Sequence, residues 1–80
     1  MNLSNFIENF AEAIEDLDEN TINPNTQYRK LEQWDSLAVL SVLSMIDLEY
    51  GIRLKAEVLR TTATIEDLFA LVHSKNSNNP

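Results

Sequence analysis

The chain has no cysteine, few basic residues and no long hydrophobic run, and each absence excludes a class of protein. Without cysteine there is no disulfide framework, no thiolate metal site and no cysteine nucleophile. Thirteen Asp and Glu residues outnumber six Lys and Arg residues, and the formal net charge of −7 at pH 7 repels nucleic acid and anionic membranes. No apolar stretch reaches the length of a membrane span, and no basic segment followed by a hydrophobic run opens the chain. We therefore expect a cytoplasmic protein that binds neither nucleic acid nor membrane.

The length and apolar content predict one small domain of modest stability. Eighty residues, 44% of them apolar, are enough for a single compact core, although a chain of this size buries only about 60% of the surface that its unfolded form exposes. At roughly 0.05–0.15 kcal/mol per residue, the free energy of unfolding is about 4–12 kcal/mol. Such a fold supports little internal strain, which makes an enzyme with a large preorganised active site an unfavoured interpretation.

Helical spacing of the apolar residues predicts an all-α domain, and no strand pattern is present. A first amphipathic helix is predicted over residues 3–17, with Ser4 or Asn5 as its N-cap. Its end carries an unfavourable acidic cluster at the negative pole of the helix dipole, made of Glu15, Asp16, Asp18 and Glu19. Residues 20–34 are predicted to form a long connection that three residues attach to the core: Tyr28, Leu31 and Trp34.

Three more helices complete the predicted bundle. The second spans about 36–50 and ends at Gly51 in a left-handed conformation. A short third helix covers 55–60, and the last opens at Thr64 with Asp67 as its capping partner. We predict a four-helix bundle with one short member (helix III), a single domain over residues 1–75, and a disordered polar tail over 76–80.

The second predicted helix is apolar around much of its circumference, which indicates a central position or a surface kept for a partner. We assign four of its residues to a core row: Leu40, Leu43, Ile46 and Tyr50. Val39, Val42 and Met45 then become candidates for a contact face. The alternative is that all of these side chains belong to the core of so small a domain.

The tripeptide Asp35, Ser36 and Leu37 opens this second helix. A serine hydroxyl at a helix start is exposed and lies beside backbone N–H groups that have no intrahelical acceptor, which favours a phosphodiester at that hydroxyl. Three longer segments strengthen the pattern: Trp34-Asp35-Ser36-Leu37, Glu49-Tyr50-Gly51-Ile52 and Thr64-Ile65-Glu66-Asp67-Leu68. In their order, with the matching length and charge, these segments resemble the discrete acyl carrier proteins over about residues 3–75.

The resemblance implies an acyl-carrier-protein-like bundle and a carrier function without catalysis. It implies that Ser36 receives 4′-phosphopantetheine from coenzyme A and that acyl or aminoacyl groups are carried as thioesters on that arm. Asp35 matches the motif and would either cap the helix or help the modifying enzyme, and Leu37 would contribute to docking. The implied partners are a phosphopantetheinyl transferase, an acyl- or aminoacyl-loading ligase and downstream acyl-transfer or synthase enzymes, which a monomer would visit in turn. We place docking on Val39, Val42, Met45 and Asp47.

The chain also departs from the pattern of fatty-acid carriers. Those carriers place acidic residues along the second helix after the serine, where this chain has Ala38, Ser41 and Ser44. Docking should therefore be more apolar and less sensitive to salt. Trp34 stands before the aspartate, where family members often have a small residue. Both departures favour a dedicated biosynthetic pathway over housekeeping fatty-acid synthesis.

Four alternatives compete with this interpretation. Ser36 could be an ordinary N-cap. A serine hydrolase would need a base, but the sole histidine is His73 near the end of the last helix. Asp16, Asp18 and Asn20 have the spacing of the first EF-hand ligands, but the glycine and the bidentate glutamate of that loop are missing, so no metal site is expected. The strongest alternative is a helical protein-interaction module without a prosthetic group.

Overall fold

The computed structural model describes residues 2–77, and this part of the chain is helical without strands. The main elements are three α-helices: α1 (Leu3–Ala13), α2 (Ser36–Tyr50) and α3 (Ile65–Ser77). Three short 3₁₀-helices lie in the connections, at Glu19–Thr21, Tyr28–Lys30 and Ala56–Arg60. The all-helical prediction is confirmed, but the predicted short third α-helix is a five-residue 3₁₀-helix. Within the described residues, none of the helices combines the length and the apolarity needed to cross a membrane.

Helix α1 begins and ends differently from the prediction. Its N-cap is Asn2, whose side chain accepts a hydrogen bond from the Asn5 backbone N–H at 2.8 Å. The helix stops at Ala13, and Asp16 takes a left-handed φ of 65° in the reversal that follows. The acidic cluster therefore lies beyond the last helical turn. One of its members, Asp18, caps the first 3₁₀-helix by accepting from the Asn20 N–H at 2.9 Å, which gives part of the cluster a stabilising role.

Helix α2 has the predicted bounds because both of its ends carry strong signals. Asp35 is the N-cap, and Gly51 ends the helix with a φ of 67° while its N–H donates to the Asp47 carbonyl at 2.9 Å. A residue with a Cβ atom rarely adopts that left-handed conformation, which accounts for glycine at this position. The next residue, Ile52, is buried in the core.

The long connection before α2 is attached to the core through aromatic rings, as predicted. Tyr28 is fully buried, and its ring centroid lies 5.7 Å from that of Phe10 and 5.0 Å from that of Trp34. The Tyr28 hydroxyl donates to the Leu59 carbonyl at 2.8 Å and lies 2.6 Å from the Thr62 hydroxyl oxygen. Tyr28 therefore joins the connection before α2 to the segment before α3.

Helix α3 opens with the predicted reciprocal cap. The Asp67 N–H donates to the Thr64 hydroxyl oxygen at 3.1 Å, and the Thr64 N–H donates to the Asp67 carboxylate at 3.2 Å. The helix continues through Asn76 to Ser77, where the sequence predicted the start of a disordered tail. The rest of that predicted tail, 78–80, lies outside the described residues.

The buried faces of the three α-helices meet in one core with the residues of the connections. The largest fully buried side chains come from the three α-helices and from the second and third 3₁₀-helices: Phe6, Phe10, Tyr28, Val42, Ile46, Leu59, Ile65, Leu68 and Val72. The start of α2 remains at the surface between the second and third 3₁₀-helices. This placement determines the surroundings of Ser36.

Candidate functional site

Ser36 is the first residue of α2, and it is exposed. The cap of α2 comes from the residue before it, because the Ala38 N–H donates to the Asp35 carboxylate at 2.8 Å and the Val39 N–H donates to the Asp35 carbonyl at 3.0 Å. Within residues 2–77 the Ser36 side chain makes no hydrogen bond. The N-cap alternative for Ser36 is therefore wrong, since that role belongs to Asp35 and the Ser36 hydroxyl is free.

The surroundings of Ser36 lack the groups that would make it a catalytic nucleophile. His73 lies on α3, where its ring stacks on Phe69 with centroids 5.8 Å apart, and no hydrogen bond connects it to Ser36. In the described part of the chain, no three His, Cys, Asp or Glu side chains are grouped to hold a metal ion. The serine-hydrolase alternative therefore lacks its base, because the histidine stacks on Phe69 instead of bonding Ser36.

Three concave surfaces border α2, and they differ in charge. The basic cavity, of about 480 Å³, is lined by Arg29, Trp34, Asp35, Ser36, Val39, Ala56, Leu59 and Arg60. The acidic cavity lies between the end of α1 and the start of α2, and its carboxylates come from Glu12, Glu15, Asp16, Glu32 and Asp35. The leucine groove lies between α1 and α2, and its apolar ridge is formed by Leu37, Leu40 and Leu48. Ser36 lines the basic cavity, whereas its neighbour Leu37 lines the other two surfaces.

The exposed face of α2 differs from the predicted contact face. Val42 is fully buried and Met45 is 8% exposed, so both belong to the core, although Met45 also lines the leucine groove. Leu40, predicted to lie in the core, is 62% exposed. The buried stripe of α2 consists of Ala38, Val42, Met45 and Ile46, a set with the spacing of one helix face. The rest of the predicted core row fits the structure, because Ile46 is fully buried and Leu43 and Tyr50 pack partly buried against the core. Leu40 was misplaced because leucine was weighted above the position of polar residues.

Sequence reasoning named Leu37 as a docking residue but did not place Leu40 and Leu48 at the surface, where the structure has both. Leu37 and Leu48 are 61% and 82% exposed, and with Leu40 they share the face that carries Ser41 and Ser44. Those two serines are the signal that marks the solvent side of the helix. The two remaining predicted docking residues lie elsewhere. Val39 is half-buried at the basic cavity, and the Asp47 carboxylate lies 3.6 Å from the Arg53 guanidinium.

The fold and the site define a class of small helical domain with an exposed, unbonded serine at the start of its second α-helix. The comparison with known families agrees: the family model described as "Phosphopantetheine attachment site" matches residues 5–72. The chain belongs to this family. No significant match was found among curated proteins or among solved structures.

Membership of the family establishes the general function. The protein is a phosphopantetheine carrier that holds a covalently attached 4′-phosphopantetheine and is not itself an enzyme. Carrier domains interact in general with a phosphopantetheinyl transferase and with acyl-handling enzymes. The exposed, unbonded hydroxyl at the start of α2 fits such a group, because an attached chain meets no packed side chain that must first be displaced.

Proposed function

We propose that Ser36 is the attachment residue and that the protein carries acyl or aminoacyl groups as thioesters on the arm. One observation at the start of α2 supports this assignment: Asp35 caps the helix, and the Ser36 hydroxyl is left without a hydrogen-bond partner. The arm supplies the thiol that forms the thioester. The chain itself supplies a rigid base for the arm and a surface that partner enzymes bind.

The proposed docking surface is the leucine groove, beginning at Leu37 next to the attachment residue. Exposed leucines of this size on one helix face are unusual in a small soluble domain unless a partner covers them. The side chains between these leucines on α2 are the uncharged Ser41 and Ser44, and the charged residues of the groove are Glu12 and Glu49. Apolar contact with the leucines should therefore dominate binding. Val39 and Asp47 stay in the proposal as residues at the edges of the surface that partners contact.

The proposed pathway is a dedicated biosynthetic one rather than housekeeping fatty-acid synthesis, in the cytoplasm with the enzymes that load the carrier. Two features support it. Ala38, Ser41 and Ser44 occupy the part of α2 where fatty-acid carriers have acidic residues, and Trp34 precedes the motif. The Trp34 ring is parallel to that of Phe10 at a centroid distance of 6.4 Å, so Trp34 packs against the core next to the attachment residue.

The assignment is tested by incubating the apo protein with coenzyme A and a phosphopantetheinyl transferase and measuring the intact mass. The wild type should gain one phosphopantetheinyl group, and Ser36→Ala should gain none. Ser44→Ala is the matched control, because Ser44 is also an exposed serine on α2. An adduct on Ser36→Ala would contradict the assignment. A wild type that is unmodified by every transferase tested would favour the interaction module instead.

The cargo is tested by supplying the holo protein with loading enzymes and panels of acyl and amino acids. A mass increase that hydroxylamine removes identifies a thioester. Loading with long saturated chains alone would contradict the proposed dedicated pathway.

A further inference from the structure

We propose that the basic cavity beside Ser36 is an anion site for the prosthetic arm, in which Arg29 and Arg60 bind an anionic group that the arm carries. That group is either the phosphodiester of the arm or a carboxylate of its cargo. The inference rests on the proposed attachment at Ser36 and adds a site to it. It follows from the distribution of charge, from the free guanidinium groups and from the shape of the cavity.

Of the three concave surfaces that border α2, only this cavity is lined by basic residues, in a strongly acidic chain. Only six of the eighty residues are Lys or Arg, and two of them line the basic cavity. The acidic cavity and the leucine groove are lined by carboxylates and by no lysine or arginine. An anion attached to Ser36 is therefore repelled on the side of the acidic cavity and attracted toward Arg29 and Arg60.

The two guanidinium groups are free to bind an anion. Within residues 2–77 a single salt bridge occurs, between Arg53 and Asp47, so neither Arg29 nor Arg60 has a carboxylate oxygen within 4.0 Å. The Arg29 Nη2 donates to the Thr62 carbonyl at 3.3 Å, which positions its side chain and leaves most of its five N–H donors available. Arginine binds phosphate and carboxylate oxygens through two parallel hydrogen bonds, which makes it well suited to either anion.

The walls of the cavity strengthen this attraction. Trp34, Val39 and Leu59 give it apolar sides, and charges interact more strongly beside apolar walls than in open water. Its volume of about 480 Å³ is typical of a small-molecule site. The one carboxylate in the lining is that of Asp35, which is engaged by the Ala38 N–H. Because Ser36 is part of the lining, a group attached to its side chain begins beside the site.

The site is tested by recording the arginine side-chain N–H signals in ¹⁵N-labelled protein by NMR. Four forms are compared: apo, holo, holo loaded with an acetyl group and holo loaded with a malonyl group, which ends in a free carboxylate. We expect the Arg29 and Arg60 signals to shift and the Arg53 signal to stay constant, since Arg53 is the matched control outside the cavity. A shift already complete in the holo form identifies the phosphodiester as the anion. A shift confined to the malonyl form identifies the carboxylate of the cargo.

A second measurement follows the arm itself. The comparison uses the form of the protein in which the Arg29 and Arg60 signals shift. In that form, the NMR lines of the phosphopantetheine arm should be narrower in the double variant Arg29→Gln/Arg60→Gln than in the wild type, because an arm released from the cavity moves more freely. Arg53→Gln should leave the lines unchanged. A circular dichroism spectrum and a melting curve check that both variants are folded.

Two negative results separate the site from the function. If intact mass shows a fully modified protein but the Arg29 and Arg60 signals are constant in all four forms, the anion site is wrong and the carrier assignment stands. If the protein takes up no phosphopantetheine at all, the carrier assignment fails and the anion site fails with it.

Discussion

At the scale of single residues, Asp35 and Ser36 are neighbours whose side chains have separable roles. The Asp35 carboxylate accepts a hydrogen bond that stabilises the start of α2, and the Ser36 hydroxyl accepts none. Stability and modification should therefore respond to different substitutions.

We predict that Asp35→Ala lowers the free energy of unfolding by about 0.5–2 kcal/mol, the usual cost of losing an N-cap. Ser36→Ala should change it by less than about 0.5 kcal/mol, because the exposed side chain that is lost makes no hydrogen bond and alanine favours the helix. Urea unfolding of the two apo variants measures the difference. Equal destabilisation by both substitutions would contradict the separation of roles.

Tyr28 makes the free energy of unfolding depend on pH in the alkaline range. Burial raises the pKa of its phenol above the ordinary value, because the charged form is poorly solvated. The unfolded chain then loses this proton first as the pH rises, so fewer protons are bound in the unfolded state. The stability contributed by neutral Tyr28 is complete below about pH 10 and is lost at higher pH by up to about 1.4 kcal/mol per pH unit.

We predict that Tyr28→Phe removes this part of the alkaline loss while destabilising the protein at pH 7. The cost at pH 7 is about 1–3 kcal/mol, because the Leu59 carbonyl and the Thr62 hydroxyl lose their buried partner. Urea unfolding between pH 7 and 11 measures both effects. Tyr50→Phe is the control, since the Tyr50 hydroxyl bonds Asn9 at a partly buried position instead. An unchanged pH profile in Tyr28→Phe would contradict the assignment.

At the scale of elements, α2 is bounded by Asp35 and Gly51, and the backbone conformation of Gly51 determines where the helix ends. Gly51 has a left-handed φ of 67°, and a Cβ atom added there meets no atom within 4 Å. The penalty for a side chain at this position is therefore conformational and involves no clash. We predict that Gly51→Ala costs about 1–2 kcal/mol and that Gly51→Asn costs less, because asparagine tolerates this conformation better. Urea unfolding tests the order; an alanine variant as stable as wild type would contradict it.

The two faces of α2 give a further prediction about docking. Leu40→Gln should leave the free energy of unfolding within about 0.5 kcal/mol of wild type, because its side chain is mostly exposed. It should raise the KM of the transferase for the apo protein, since apolar contact with the leucine groove is lost. Ile46→Ala is the contrasting control for stability. It should lower the free energy of unfolding by about 2–5 kcal/mol, because Ile46 is fully buried. A transferase KM unchanged by Leu40→Gln and Leu48→Gln together would show that docking occurs elsewhere.

The ends of the helices could be predicted from the sequence wherever a capping residue marked them. The buried side of a helix could not always be predicted. Asp35, Gly51 and Thr64 defined their helix ends correctly because capping depends on residues a few positions apart. The end of α1 was placed too late because the apolar period continues through Ile14 and Leu17 after the helix has ended. Which side of α2 is buried depends on packing with α1 and α3, which the helical period alone does not specify.

At the scale of the whole molecule, charge is distributed unevenly. Five carboxylates surround the acidic cavity in a chain of net charge −7, and the one salt bridge within residues 2–77 is exposed. Like charges held close together in the folded state oppose folding, and salt screens them. We predict that the melting temperature of the apo protein rises as NaCl is raised from about 10 mM to about 0.5 M, where the Debye length shortens to a few ångströms.

The matched variant for this prediction is the double variant Glu12→Gln/Glu32→Gln, which removes two of the five negative charges of the acidic cavity. Its melting temperature should be higher at low salt and should depend less on NaCl. Equal salt dependence in the variant and the wild type would locate the repulsion elsewhere in the chain.

The part of the site that the sequence could not predict is the part that the whole fold assembles. The sequence could propose Ser36 as the attachment residue because the signal is three consecutive residues at the start of a helix. The basic cavity could not be predicted, since Arg29, Val39 and Arg60 come from separate parts of the chain that only the folded core brings together. The Tyr28 hydroxyl bond to Leu59 is one of the contacts that fixes this arrangement.

The leucine groove and the basic cavity share no lining residue, although both begin at the start of α2. An enzyme that grips the groove therefore leaves the opposite flank of the helix uncovered. If partners bind the groove and the anionic group binds Arg29 and Arg60, as proposed, an enzyme can associate with the carrier before the arm leaves the basic cavity, so binding and transfer are separate steps.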